Sequence, residues 1–398
     1  MIAGLLLGND REGRADLSDC KVLVVDDSAS FRKIIGAFLR SAGIVNLEFA
    51  DNGLAGLEKV GSFDPDLVIL DIMMPEMDGF EVCRRLRGQP RYQRLPILVQ
   101  TALEDPAERT AVFQAGASDL ITKPIHGPEL IARVRVQLEN RLLIGSLEDY
   151  RHRVEAELNL ARKMQEALLP DLSGTADVVG AVGLQVDAHF RPSAEIGGDM
   201  WTIRDLGDGK IAVSTVDFSG HGVSAALNTF RLHTLMHQSL PHTDQPSAYL
   251  GLLNEQLVDL LPTHQFATMF YGVIDTRRAC LTYAGAGAPA PIVCMDGEMG
   301  ALNASGLPLG ITRAAVYKDR QVDFPARAFL LLYSDALVET EDMTTGRTLE
   351  TEDLLDWVKA IQSDKPGISP LPSLLARFNQ DHKVPDDDLT LVWLRRQS

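Results

Sequence analysis

The sequence predicts an α/β domain with a five-stranded, doubly wound parallel sheet. A long coiled-coil helix then joins it to an α+β domain, a β-sandwich flanked by helices. Three observations carry this reading. Near the N-terminus, apolar runs of four or five residues end abruptly on polar ones and alternate with amphipathic segments. Residues 129–169 hold no proline and carry apolar residues spaced alternately by three and four. Beyond residue 183 the texture changes to alternating strands with tight turns.

Composition narrows the classes first. The 398 residues are 45% hydrophobic and 23% charged, an ordinary globular balance with room for two or three domains. The formal net charge of −17, without a Lys/Arg cluster, argues against a nucleic-acid partner, because phosphate backbones reward a basic patch. Cys20, Cys83, Cys280 and Cys294 show no metal-binding or disulfide spacing and suit a reducing compartment. Residues 2–7 lack the length and basic flank of a signal peptide, and no run of about 18 apolar residues is present to span a bilayer. The expectation is a cytoplasmic protein with no membrane partner. It divides into a tail at 1–18, a first domain at 19–127, a helical linker at 128–170 and a second domain at 171–398.

In the first domain, strands are expected at residues 21–25, 45–49, 67–70, 96–100 and 120–122. Helices follow Ser28 and cover 53–60, 80–87 and 106–115. The central stretch is LVILDIMMPEMDG, Leu67 to Gly79, a buried strand delivering Asp71 to its carboxyl end. Chemistry sits at strand ends in such sheets. Taken alone, Asp71 could equally cap the next turn. The other strand ends decide, since they hold Asp26, Asp27, Thr101 and Lys123 along one edge. Three carboxylates together repel unless a hard divalent cation such as Mg²⁺ sits among them. Lys123 and Thr101 offer a compact positive charge and a hydroxyl donor to a phosphoryl group.

This pattern resembles the receiver domain of two-component response regulators. The residues are the acid pair after the first strand, D-x-x-M-P-x-M-D-G after the third, Thr101-Ala102 after the fourth and Lys123-Pro124 after the fifth. The resemblance implies a flavodoxin-like fold. It also implies that Asp71 accepts a phosphoryl group from a sensor histidine kinase, and that Asp26, Asp27, Asp71 and the Met73 carbonyl hold Mg²⁺. Thr101 and Lys123 would bind the phosphoryl oxygens, with a cis bond before Pro124. The aromatic residue that receivers often place shortly before the lysine is replaced here by Leu120 or Ile121.

In the linker, Asn140, Leu143, Leu147, Tyr150, Val154, Glu157, Ala161, Met164 and Leu168 form a heptad seam of about four repeats. It suits a parallel homodimer, or else a single helix packed on its own domains. Pro170 ends it.

In the second domain, strands are expected at 200–204, 210–216, 267–274, 280–283, 291–295, 329–333 and 389–394, with a hairpin turn at Asp208-Gly209. Helices are expected at 222–240, 248–261, 353–362 and 371–381. Asp199 follows two glycines, Asp217 and Asp335 end apolar strands, and Asp387-Asp388 opens the last strand. Scattered aspartates at strand ends are usually turn residues. Brought to one end of a sandwich they would need divalent cations, and two metals can hold a water against a phosphoryl group.

The motifs IGGD, DFSGHGVSAAL, LLYSDALVE and DDLTLV resemble the type 2C metal-dependent serine/threonine phosphatases, in the bacterial SpoIIE/RsbU subgroup. LARKMQEALLP resembles the helix that precedes that catalytic domain. The resemblance implies two Mn²⁺ or Mg²⁺ ions held by Asp217, the Phe218 carbonyl, Asp199, Asp335 and Asp387. Asp388 would act around the metals or on substrate, and His221 would be peripheral. It further implies a water attacking phosphoserine or phosphothreonine in line, with an anti-sigma-factor antagonist as substrate in a partner-switching pathway. Thr202, Ala288 and Ala336 depart from the residues the family often has. The alternative is an inactive adaptor that binds a sigma-factor regulator under the control of phosphorylation.

Overall fold

The computed structural model describes residues 16–102, 106–220, 222–238, 243–343 and 346–397. The expected tail at 1–18 falls almost wholly outside them, as does His221. The chain divides into two compact units, Met1–Val154 and Glu155–Ser398. No helix among the described residues is long and apolar enough to cross a membrane.

The first unit alternates β1 (Lys21–Val25), α1 (Ala29–Ser41), β2 (Asn46–Ala50), α2 (Gly53–Phe63), β3 (Leu67–Asp71), α3 (Gly79–Arg87), β4 (Ile97–Thr101), α4 (Pro106–Gln114) and β5 (Asp119–Thr122). The strands pair in parallel in the order β2-β1-β3-β4-β5. Every residue of β3 and β4 is buried, because helices cover both sheet faces. Ser28, Asn52 and Asp78 each accept a hydrogen bond from the first turn of the helix they precede.

Helix α5 runs unbroken over Gly127–Glu166. Leu130, Val134 and Leu138 lie fully buried in the cluster formed by Val22, Val24, Ile35 and Ile121. Farther along, Leu143, Leu147, Tyr150 and Met164 of the expected seam are exposed. Leu168 and Leu169, expected to continue the helix, instead close it with turn hydrogen bonds back to Gln165 and Glu166.

The second unit contains α6 (Leu172–Gly180), β6 (Leu184–Arg191), β7 (Met200–Gly207), β8 (Lys210–Phe218), α7 (Val223–His237), α8 (Pro246–Leu260), β9 (Ala267–Asp275), β10 (Cys280–Ala286), β11 (Ile292–Met295), β12 (Glu298–Ala301) and β13 (Arg320–Asp323). There follow β14 (Phe329–Tyr333), α9 (Ala336–Glu339), α10 (Thr351–Asp364), α11 (Leu371–Asp381) and β15 (Leu389–Arg396). Two antiparallel sheets form, β13-β10-β9-β8-β7 and β12-β11-β14-β15-β6. Trp201, Val213 and Phe270 of one sheet meet Leu330, Leu332 and Val392 of the other. The intervening Leu331 and Leu391 point outward to Leu354 and Phe378 of α10 and α11, as strand alternation requires. Helices α7 and α8 cover the outer face of the first sheet. Asp208 and Gly209 both have positive φ, 54° and 81°, which a tight turn between twisted antiparallel strands demands.

Candidate functional site

In the first unit, parallel pairing of β1, β3, β4 and β5 brings their carboxyl ends to one edge. Asp26 and Asp71 are buried there and Asp27 is exposed, with one oxygen of each within 4.8 Å of the others. Lys123 Nζ lies 2.8 Å from Asp71 Oδ2 and 3.4 Å from Asp26 Oδ2. Burial pushes the Asp26 carboxyl up, against the Ser28 N–H and the Lys123 charge, which favour its ionised form. Thr101 is buried, and its carbonyl accepts the Lys123 N–H at 2.8 Å, tying the ends of β4 and β5 together. The Lys123–Pro124 bond is cis.

Beyond β3, Met74 and Met77 tuck into the core while Met73 stays exposed. Gly79 is required sterically, since a Cβ there would sit 2.4 Å from the Asp71 carbonyl oxygen. Two residues escaped the sequence reading. Phe31 packs under Lys123, with Nζ 4.7 Å from the ring centroid, and Arg32 donates to the carbonyls of Asp26 and Asp27. Both sit in the first turn after Ser28. Phe31 reads there as one more core position of an amphipathic helix.

In the second unit, Asp199, Asp217 and Asp335 line one cleft together with Ala288, Tyr333 and Thr390. Asp387 lines the adjoining groove beside Glu339 and Lys383. Thr390 Oγ1 donates to Asp199 Oδ2. Burial, and then the charges of Asp335, Asp387 and Asp388, push the Asp217 carboxyl up to about 8. Asp199 is driven well above the ordinary carboxylate range by burial and by Asp217, and Asp335 is raised by burial and by Glu339. Three carboxylates thus face the lining of one cleft, each with its charged form disfavoured by burial.

Asp388 is buried and fully used. Its Oδ1 accepts from Ser193 N–H and Oγ at 2.7 and 3.1 Å, and its Oδ2 from Gly198 and Asp199 N–H at 2.5 and 3.2 Å. It therefore holds the loop that carries Asp199. Phe218 is buried and its N–H reaches the Gly198 carbonyl at 3.4 Å. Thr202 is tied to Ser214 Oγ at 2.7 Å, Ala288 forms part of the cleft wall, and Ala336 is buried at the start of α9. Gln165 is a site residue that sequence reading did not single out. It looked like one polar residue in an amphipathic helix, yet its side chain is buried against Gly197.

Two family models match the chain. The response regulator receiver domain matches residues 22–135, and stage II sporulation protein E (SpoIIE) matches residues 207–397. Response regulator MprA of Mycobacterium tuberculosis is 43% identical over 118 residues, 30% of this chain and 50% of that protein. The chain spans about half the length of the curated relatives it matches. The SiaA-PP2C domain of Pseudomonas aeruginosa shares the fold with a TM-score of 0.55 at 20% identity, over 62% of this chain and 98% of that one. The chain is built from an N-terminal receiver domain and a C-terminal phosphatase domain of the SpoIIE/PP2C type. The Asp26–Asp27–Asp71 group is typical of a receiver Mg²⁺ site.

Proposed function

We propose that this protein is a cytoplasmic response regulator in which a sensor histidine kinase phosphorylates Asp71, controlling a metal-dependent phosphoserine/phosphothreonine protein phosphatase. The observation that carries the reading is the meeting of Asp199, Asp217 and Asp335 in one cleft at the sandwich end. Asp26, Asp27, Asp71 and the Met73 carbonyl would hold Mg²⁺ in the receiver, while Lys123 and Thr101 receive the phosphoryl oxygens. In the phosphatase, Asp199, Asp217, the Phe218 carbonyl, Asp335 and Asp387 would hold two Mn²⁺ or Mg²⁺ ions. When bound, such ions lower the pKa of a water and neutralise the phosphoryl charge. Asp388 and Thr390 keep Asp199 in place, and the buried walls of the cleft keep its carboxylates away from bulk water. On this reading the chain divides into a receiver at 19–127, a linker at 128–170 and a phosphatase at 171–398, and the exposed seam of α5 is the contact of a parallel homodimer. The substrate class is an anti-sigma-factor antagonist phosphorylated on serine, as the RsbU-like motifs imply.

The test is phosphate release from an aryl phosphate with Mn²⁺, with and without acetyl phosphate, beside Asp217→Asn and Asp71→Asn. Release that needs Asp217 and responds to acetyl phosphate only through Asp71 supports the reading. No release, repeated on a phosphorylated antagonist protein, turns the reading to an adaptor that binds without catalysis.

A further inference from the structure

We propose that Gln100 is a phosphoryl-binding residue of the receiver, its carboxamide supplying a donor to the group carried by Asp71 in addition to Lys123 and Thr101. The inference rests on the reading of Asp71 as phosphoacceptor. Gln100 interrupts the apolar run Ile97–Val99 just before Thr101, and its side chain is 0% exposed. Neither Nε2 nor Oε1 has a hydrogen-bond partner among the described residues. Strand alternation fixes the face on which it lies. Leu98 packs with Val24, Ile69 and Ile121, whereas Ile97 and Val99 pack in the cluster on the other face of the sheet. Gln100 therefore shares the face of Leu98. In parallel register it stands between Asp71 of β3 and Ile121 of β5. By the same alternation Asp71 follows Ile69 onto this face, and Lys123 follows Ile121. Neighbouring strands lie about 4.8 Å apart, a gap that a side chain as long as glutamine spans.

An amide buried without a partner forfeits the hydrogen bonds it makes to water in the unfolded chain, a cost that an apolar residue at the same place does not carry. The unmodified receiver bears that cost, and a state that supplies a partner relieves it. Asp71 supplies none as it stands. Its Oδ1 accepts the Ile72 N–H at 2.9 Å, and its Oδ2 faces Lys123 Nζ at 2.8 Å. Phosphorylation changes this edge of the sheet. An Asp71 oxygen attacks the phosphorus of the donor, the donor's own bond to phosphorus breaks and its leaving group departs with the electron pair. The product carries three new acceptor oxygens and added negative charge. Charge-assisted hydrogen bonds to such oxygens are roughly twice as strong as neutral ones. Gln100 Nε2 meets them from the buried side, where no water competes for the bond.

The experiment titrates the full chain with beryllofluoride, a tetrahedral stand-in for a phosphoryl group on a carboxylate, in the presence of Mg²⁺. Melting without either reports the fold. Asp71→Asn marks the signal that belongs to the receiver. Gln100→Leu and Gln100→Met remove the amide and keep an apolar side chain of similar size; Gln100→Met also keeps the length and decides the question if Gln100→Leu melts early. Both are expected to melt at or above the parent, because the unpaired amide is gone, and to bind beryllofluoride at least about tenfold more weakly. Parental affinity in both, with binding lost in Asp71→Asn, overturns the role of Gln100 and leaves the phosphoacceptor standing. Early melting of both means that the carboxamide is already paired in the unmodified receiver, which also overturns the proposal. Binding that survives unchanged in Asp71→Asn, or is absent from the parent, overturns the reading of Asp71 and the proposal with it.

Discussion

At the residue scale, the buried acids of the second unit's cleft oppose folding when ionised, and Asp217 shows how. Without metal its folded pKa is about 8 against an ordinary 3.8. The folded state then favours the protonated acid, so the contribution is fully present below about pH 4 and is lost as pH rises through about 8. Asp217→Asn removes that penalty. Its metal-free melting temperature should exceed the parent's, by more near pH 8 than near pH 5, in thermal melts with chelator; an equal gain at both would show that the acids do not strain the cleft. In the receiver the constraint is steric. Gly79→Ala places a Cβ against the Asp71 carbonyl, and overpacking of this kind costs about 1–3 kcal/mol, readable as an earlier receiver transition in urea. Asp26, Asp71, Asp217 and Asp335 lie at or just past the ends of apolar strands, which a sequence pattern records, whereas Asp199 and Asp387 precede theirs. The partners Gln165, Asp388 and Phe31 were not legible in the same way. Their contacts run to residues distant in sequence, 32 positions from Gln165 to Gly197 and 190 from Asp388 to Gly198, and no local period records such a pairing.

At the scale of elements, legibility followed burial. Strands β3, β4 and β14 are buried along their whole length and read as short apolar runs. Strand β6 carries Asp187, His189 and Arg191, while β12 and β13 are short, partly exposed edge strands. In β6 the alternation is strict, with Leu184, Val186 and Ala188 turned to the sandwich core, whereas β12 and β13 span four residues each, too few to show a period. Helix α5 was legible for the opposite reason, since its three-and-four spacing persists without interruption. That spacing leaves Leu147 67% and Tyr150 56% exposed in the single chain, the kind of continuous apolar seam a partner helix covers. If that seam is a dimer contact, the parent should sediment as a dimer and Leu147→Glu as a monomer in sedimentation velocity, with Mn²⁺-dependent phosphate release from an aryl phosphate persisting. A parent that sediments as a monomer at all concentrations would reject the seam as a dimer interface.

At the scale of the molecule, the receiver and the phosphatase share one continuous helix. Its first turns are core to the sheet that carries Asp71, and its last turn holds the loop that carries Asp199. A helix held in each domain can transmit a population shift only if its two anchorages have alternative arrangements that differ in energy. Leu130, Val134 and Leu138 report on one anchorage and Gln165 on the other. Replacing residues 143–157 by a Gly/Ser stretch of equal length keeps both anchorages and removes the helix between them. Both activities should survive, with Asp71 still phosphorylated by acetyl phosphate and phosphate still released with Mn²⁺, but the second should no longer respond to the first. A rate that still responds would mean that the signal crosses by direct docking of the domains, and the unbroken helix would then be a tether rather than a transmitter.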